Sequence, residues 1–154
     1  MVLTFSQSLY SQFALSSNFL LAQEFSKEVT LYKAKAYVIN EILGGSEDVI
    51  QFEIDPLAAT TSGELTSLVY KCAIQSKEGL ILGFYGNYWN DEGIVFKGYA
   101  FKNFPKEKAL QLLLKISETI DKQLPFLNED SNNNNVYFQY DDVTFLIYKD
   151  MTTI

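Results

Sequence analysis

Apolar residues recur along the chain in two different periods, and the change falls near Gly44-Gly45. Before it the period is helical. Phe5, Leu9 and Phe13 recur every four residues, with Val2 and Tyr10 near the same face, which predicts a short helix from about Thr4 to Leu15. Ser16-Ser17-Asn18 supplies a break and a cap. Leu21, Phe25, Val29, Tyr32, Ala36, Ile39 and Leu43 then follow at spacings of 4, 4, 3, 4, 3 and 4, one face of a second helix. The glycine pair stops it. A strand over Val29–Ile39 competes, because Val29, Thr30, Tyr32, Tyr37, Val38 and Ile39 favour strands. The length of the spacing match favours the helix.

After Gly45 the period is two. Ile50, Phe52 and Ile54 alternate with Gln51 and Glu53 in a half-buried strand over Val49–Ile54, ended by Asp55-Pro56. Leu65–Gln75 is the next strand, with Leu68, Tyr70, Cys72 and Ile74 on one face. Lys77-Glu78-Gly79 reads as a hairpin turn. Leu80–Trp89 and Ile94–Phe101 flank a second turn, Asn90-Asp91-Glu92-Gly93. These four strands form an antiparallel meander. Pro105 opens a helix over about 105–123 at a position where its missing N–H costs nothing. Its apolar face is Ala109, Leu112, Leu113, Ile116 and Ile120, and Leu124-Pro125 stops it. A polar loop over Asn128–Asn135 leads to a last hairpin, Val136–Tyr140 and Val143–Lys149, around Asp141-Asp142. The order is α-α-β-β-β-β-α-β-β. The expected fold class is α+β: a single domain over 1–154, one antiparallel β-sheet of about six strands, and helices packed on it. Residues 1–17 are a candidate docking arm. At the level of architecture this order resembles that of the type III secretion chaperones, without the final helix expected there.

Composition narrows the chemistry. The chain has 154 residues, no histidine, and 12 basic residues that are all lysine against 19 acidic ones, a net charge of −7. Catalytic Ser-His-Asp and Cys-His arrangements and His-containing zinc sites cannot be built from it. Without arginine there is no bidentate fork for carboxylate, phosphate or guanine, and the negative charge repels a phosphate backbone, so nucleic acid is not an expected partner. Cys72 is the only cysteine, which fits a reducing compartment. Residues 1–23 carry no charged side chain, yet polar residues interrupt them too often for a membrane span. A cytoplasmic protein that does not engage membranes is expected. No cofactor or metal motif occurs.

The most distinctive segment is the hairpin from Leu80 to Phe101. Both faces of its strands are apolar or aromatic, whereas a sheet with one wet face alternates more cleanly. Cross-strand aromatic pairing inside one core, a subunit interface and a ligand groove all explain this pattern. The candidate binding residues are Tyr85, Tyr88, Trp89, Tyr99 and Phe101. The acidic pairs Glu47-Asp48, Asp91-Glu92, Glu129-Asp130 and Asp141-Asp142 fall in turns without a cation-loop spacing. Asp141 and Asp142, placed by their hairpin near the Asn-rich loop, are the candidate acidic site. Cys72 reads as a small core residue, and Lys71 and Lys97 as lysines at a sheet rim. The expected function is a non-enzymatic protein-interaction or chaperone-like module. It is expected to be homodimeric, using the aromatic sheet face and the uncharged arm. A small-molecule pocket between sheet and helices is the alternative, followed by an enzyme using carboxylates or tyrosines.

Overall fold

A computed structural model describes residues 2–6 by their backbone course, and residues 30–60 and 62–149 in full. Strand β1 is Val2–Ser6, and helix α1 covers 30–43 with its last residues, Val38–Leu43, in π geometry. The meander follows as β2 (Glu53–Ala59), β3 (Leu65–Cys72), β4 (Lys77–Trp89) and β5 (Val95–Pro105). Helix α2 is Lys106–Glu129, and the last hairpin is β6 (Asn135–Tyr140) and β7 (Val143–Tyr148). The fold is α+β with two sheets rather than one of about six strands: β2-β3-β4-β5, all antiparallel, and β1-β7-β6. Residues 4–6 of the expected first helix are strand, paired parallel with β7 from Val2↔Thr144 to Ser6↔Tyr148. Val2, Thr4 and Phe5 favour strands, and β7 offers them an open edge. The remainder of that helix, most of the arm and residues 21–29 of the second helix lie outside the described residues.

The chain folds as two compact units, Met1–Ala14 with Leu110–Ile154, and Leu15–Ala109. In the second, register puts Ile54, Leu68, Tyr70, Cys72, Ile81 and Phe101 on one face of the sheet. Helix α1 lies on that face, and its Ala34, Val38 and Leu43 join Leu68, Tyr70, Cys72 and Ile81 in one buried cluster. Each large apolar side chain withdrawn from water contributes about 1.5–3 kcal/mol. The helix over 30–43 is as expected, but its buried face is not. Thr30, Ala34, Val38 and Leu43 are buried, at spacings of 4, 4 and 5, while Tyr32 is 69% exposed. The wider π turn adds the extra residue that brings Leu43 back over the sheet. Lys77 Nζ donates to the Ile42 carbonyl, placing a cation at the helix C-terminus.

The meander differs from expectation in its details. Strand β2 starts at Glu53, so that of the expected strand Val49–Ile54 only Glu53 and Ile54 are strand, and it continues through Asp55-Pro56 to Ala59 instead of ending there. An edge strand tolerates the proline, with a register shift between Pro56 and Ala58. The β3–β4 turn is 73–76, not Lys77–Gly79; Ser76 takes the left-handed conformation (φ 52°), and Lys77 already pairs with Cys72. The Asn90–Gly93 turn is as expected. Gly93 N–H donates to the Asn90 carbonyl at 2.9 Å, and the Asn90 side-chain oxygen accepts from the Glu92 and Ile94 amides.

In the first unit, Val143, Phe145 and Ile147 are buried on alternate positions of β7, and Phe138 stacks on Phe145 at 5.0 Å. Helix α2 reaches this face. Lys115 lies over the Phe138 ring, and the Tyr140 hydroxyl donates to the Gln111 side chain at 3.2 Å. The helix does not stop at Leu124-Pro125 but carries Pro125 inside it and ends at Glu129. Leu127, two residues beyond the proline, is buried, and the Asn134 side-chain amide donates to the Phe126 carbonyl at 2.7 Å. Those contacts hold the last turn that proline weakens. Of the expected apolar face, Ala109 and Leu112 are buried, whereas Leu113 is exposed. No helix among the described residues is long and apolar enough to cross a membrane.

Candidate functional site

Strand β4 is buried on both faces over part of its length. Ile81 and Gly83 face α1's side of the sheet, and Leu80, Leu82 and Phe84 on the other side are buried as well. The two-sided apolar pattern of the sequence therefore has a structural counterpart at Leu80–Phe84. Gly83 permits a close approach there. A Cβ at this position would lie 3.0 Å from the Phe101 ring and 3.8 Å from the Thr30 methyl group.

Strand β3 pairs with β4 only as far as Leu65↔Phe84, whereas β4 and β5 continue together to Trp89↔Val95. The hairpin thus extends past the four-stranded sheet as a two-stranded ribbon. Its root is fastened by aromatic contacts: Tyr85 against Tyr99 at 4.9 Å, Tyr99 stacked on Phe101 at 6.0 Å, and Phe101 against Tyr37 of α1 at 5.3 Å. Thr30, buried at the start of α1, donates its hydroxyl to the Tyr99 hydroxyl at 3.1 Å. On the opposite face Tyr88 meets Phe96 at 6.0 Å and donates to the Phe84 carbonyl at 2.9 Å. Burial raises the Tyr88 hydroxyl pKa, as it does those of Tyr37 and Tyr70. Beyond this root the ribbon is bare. Trp89 is 71% and Val95 62% exposed, and Ile94 and Phe96 are exposed with them.

The five candidate aromatic residues accordingly lie on one hairpin, but with different surroundings. Tyr88, Tyr99 and Phe101 are half-buried and build its root, Tyr85 is at the margin, and Trp89 projects. Asp141 and Asp142 form the two-residue β6–β7 turn, both exposed, with Asp141 left-handed at φ 51°. They are not next to the Asn-rich loop. That loop joins the opposite end of β6, where Asn135 pairs with Tyr148. Nor is the loop merely polar linker. Asp130 accepts from the Asn132 and Asn133 amides and from the Asn133 side chain at 2.9 Å, which holds its carboxyl below the usual range. Among the described residues no three His, Cys, Asp or Glu side chains come together as a metal site. Cys72 is fully buried and unbridged. Lys71 and Lys97 are exposed, Lys71 opposite Glu78.

A cavity of about 330 Å³ lies at the other end of α1 from the ribbon, lined by Glu41, Ile42, Tyr70, Lys77, Asn103 and Glu107 among others. None of these residues stands out in the sequence. They come from the end of α1, from β3, β4 and β5, and from the start of α2, and only the meander's register brings them together. No family model, curated protein or solved structure matches the chain.

Proposed function

We propose that the chain is a non-enzymatic protein-interaction module that self-associates through the projecting end of the β4–β5 hairpin. The observation that carries this reading is the ribbon itself: a rooted, two-stranded extension with Trp89, Ile94, Val95 and Phe96 exposed at its end. Exposed aromatic and branched side chains grouped on a pre-organised support are the composition of an interface centre. The choice of a second copy as partner rests on the outer strand. β5 is the last strand of its sheet among the described residues, and an edge strand is a template for another strand. Two copies of the same edge satisfy each other about a two-fold axis. Strand β2, the other edge, is blunted by Pro56 and by its register shift.

Sedimentation equilibrium of the full chain tests the reading. The wild type is expected at twice the chain mass at micromolar concentration, and Trp89→Ser with Phe96→Ser at the chain mass. Both side chains are exposed, so the variant retains the wild-type circular dichroism spectrum. A wild type that sediments as a single chain throughout that range contradicts the proposal.

A further inference from the structure

Helix α2 carries an apolar stripe that stays in water. Leu112 and Leu127 turn inward and are buried, but Leu110 is 54%, Leu113 52% and Leu124 42% exposed, with Leu114 exposed beside them. Leu110, Leu113, Ser117, Ile120 and Leu124 follow at spacings of 3, 4, 3 and 4, the seam along which two helices pack side by side. The seam is complete before Pro125. Leucines grouped in the open on one rigid element mark a contact surface.

Two properties of the helix indicate what packs on it. The first is that the seam reads nearly the same in both directions about Ser117. In an antiparallel pair centred there, Leu110 comes opposite the second copy's Leu124, and Leu113 opposite its Ile120. Ser117 is the small residue at the centre, which lets the two helices approach closely. The second property is charge. The first half of α2 carries Lys106, Lys108 and Lys115 against Glu107 alone, and the second half carries Glu118, Asp121 and Glu129 against Lys122 alone. Lys106 pairs with Glu78 and Lys122 with Glu118, which leaves the sign of each half unchanged. Antiparallel copies set each half beside one of opposite sign and set the helix dipoles in opposition. We propose that α2 packs antiparallel on α2 of a second copy of this chain, along Leu110, Leu113, Ile120 and Leu124. This surface is separate from the hairpin ribbon and does not rest on it. One helix buries a small area, so the pairing forms well above the micromolar range. A chain with two different two-fold surfaces links its pairs into larger assemblies.

The test uses the full chain carrying Trp89→Ser with Phe96→Ser, so that the hairpin does not contribute. In sedimentation equilibrium this variant is expected at the chain mass at micromolar concentration and to approach twice that mass at several hundred micromolar. With Leu113→Glu added it is expected at the chain mass throughout. Leu113 is exposed, so the added change leaves the circular dichroism spectrum as it was. Orientation is read from cross-linking at the high concentration. Ser117→Cys is expected to form a disulfide-linked pair on mild oxidation much faster than Lys122→Cys, which lies on the opposite flank of the helix. The native Cys72 is fully buried and does not compete. A Trp89→Ser, Phe96→Ser chain that stays single at every concentration would mean that the seam is covered within its own chain or by another protein, and overturns the proposal. So would doubling that survives Leu113→Glu, or cross-linking at Ser117→Cys no faster than at Lys122→Cys. If the double variant pairs already at micromolar concentration, the hairpin reading fails, and Leu113→Glu still decides this one.

Discussion

At the scale of single residues, small side chains and turn carboxylates carry consequences that can be measured. Gly79 sits where β4 passes Tyr70. A Cβ there would run into the Phe104 carbonyl oxygen and lie 2.9 Å from the Tyr70 hydroxyl. Backbone cannot yield as a flexible side chain does, so Gly79→Ala is expected to destabilise the chain by about 1–3 kcal/mol in urea unfolding, the usual cost of overpacking. Gly86→Ala, with nothing within 4 Å of its added carbon, is the matched control and loses far less. Asp130 makes a pH prediction. Its carboxyl is held low chiefly by the Asn133 side chain and then by the Asn132 amide. A depressed carboxyl stabilises the fold above its unfolded value, about 3.9, and that contribution is lost as pH falls through the folded one. The melting temperature of the wild type therefore falls below pH ~4 more steeply than that of Asp130→Asn. Glu78, held low by Lys106, acts in the same direction. Lys106, held high by Glu78, contributes below the unfolded lysine value and loses its contribution as pH rises through the folded one. Parallel acid limbs in wild type and Asp130→Asn would show that the Asn-rich turn has no part in the pH response.

Secondary elements show where local pattern speaks and where it does not. Strands β3, β4 and β5 and the turns at Asn90–Gly93 and Asp141-Asp142 were legible because alternation and turn chemistry are local properties. Strand β2 was misplaced, since the alternating Ile50 and Phe52 lie before it and Pro56 lies within it. The partition into two sheets was not. The alternation of Val143, Phe145 and Ile147 states that one face is buried, but the same pattern serves a strand in either sheet. Helix α1 was legible as a helix and its face was not. Already in the regular turns before the π segment the buried side is Thr30, Ala34 and Val38, a stripe with fewer large apolar residues than the one through Tyr32 and Ile39 that the spacing favoured. The aromatic hairpin was legible as a cluster, yet only the early end of β3 separates its rooted part from its bare one. The cavity gave no sequence signal, since its residues are spread from Glu41 to Glu107. Pro125 misled for a simpler reason: tertiary contacts at Phe126 and Leu127 outweigh a local stop signal. Because the proline removes one helical hydrogen bond and crowds the preceding turn, Pro125→Ala is expected to stabilise α2 by up to ~3 kcal/mol and raise the melting temperature. A lower melting temperature would mean that Pro125 itself is needed to seat Leu127.

For the molecule as a whole, the absences in its composition and the placement of its aromatic residues lead to the same account. A chain with no histidine or arginine and 15% aromatic residues is poor in the usual catalytic groups and rich in contact area. The fold places part of that area on a ribbon rooted by Tyr85, Tyr99 and Phe101 and bare at Trp89 and Val95. A net charge of −7 opposes association of two copies, so self-association is expected to strengthen with added salt, as screening weakens that repulsion. Sedimentation in low and in moderate salt checks this, and dissociation on adding salt would point to an interface held by ion pairs instead. The most direct measurement uses the only tryptophan of the chain, Trp89, which reports from the proposed interface itself. Its fluorescence emission, followed as protein concentration rises through the association range, is expected to move to shorter wavelength and to become protected from iodide quenching. An emission that stays at the wavelength of a water-exposed indole, and equally open to iodide, at concentrations where the chain is associated would contradict the hairpin as the surface of contact.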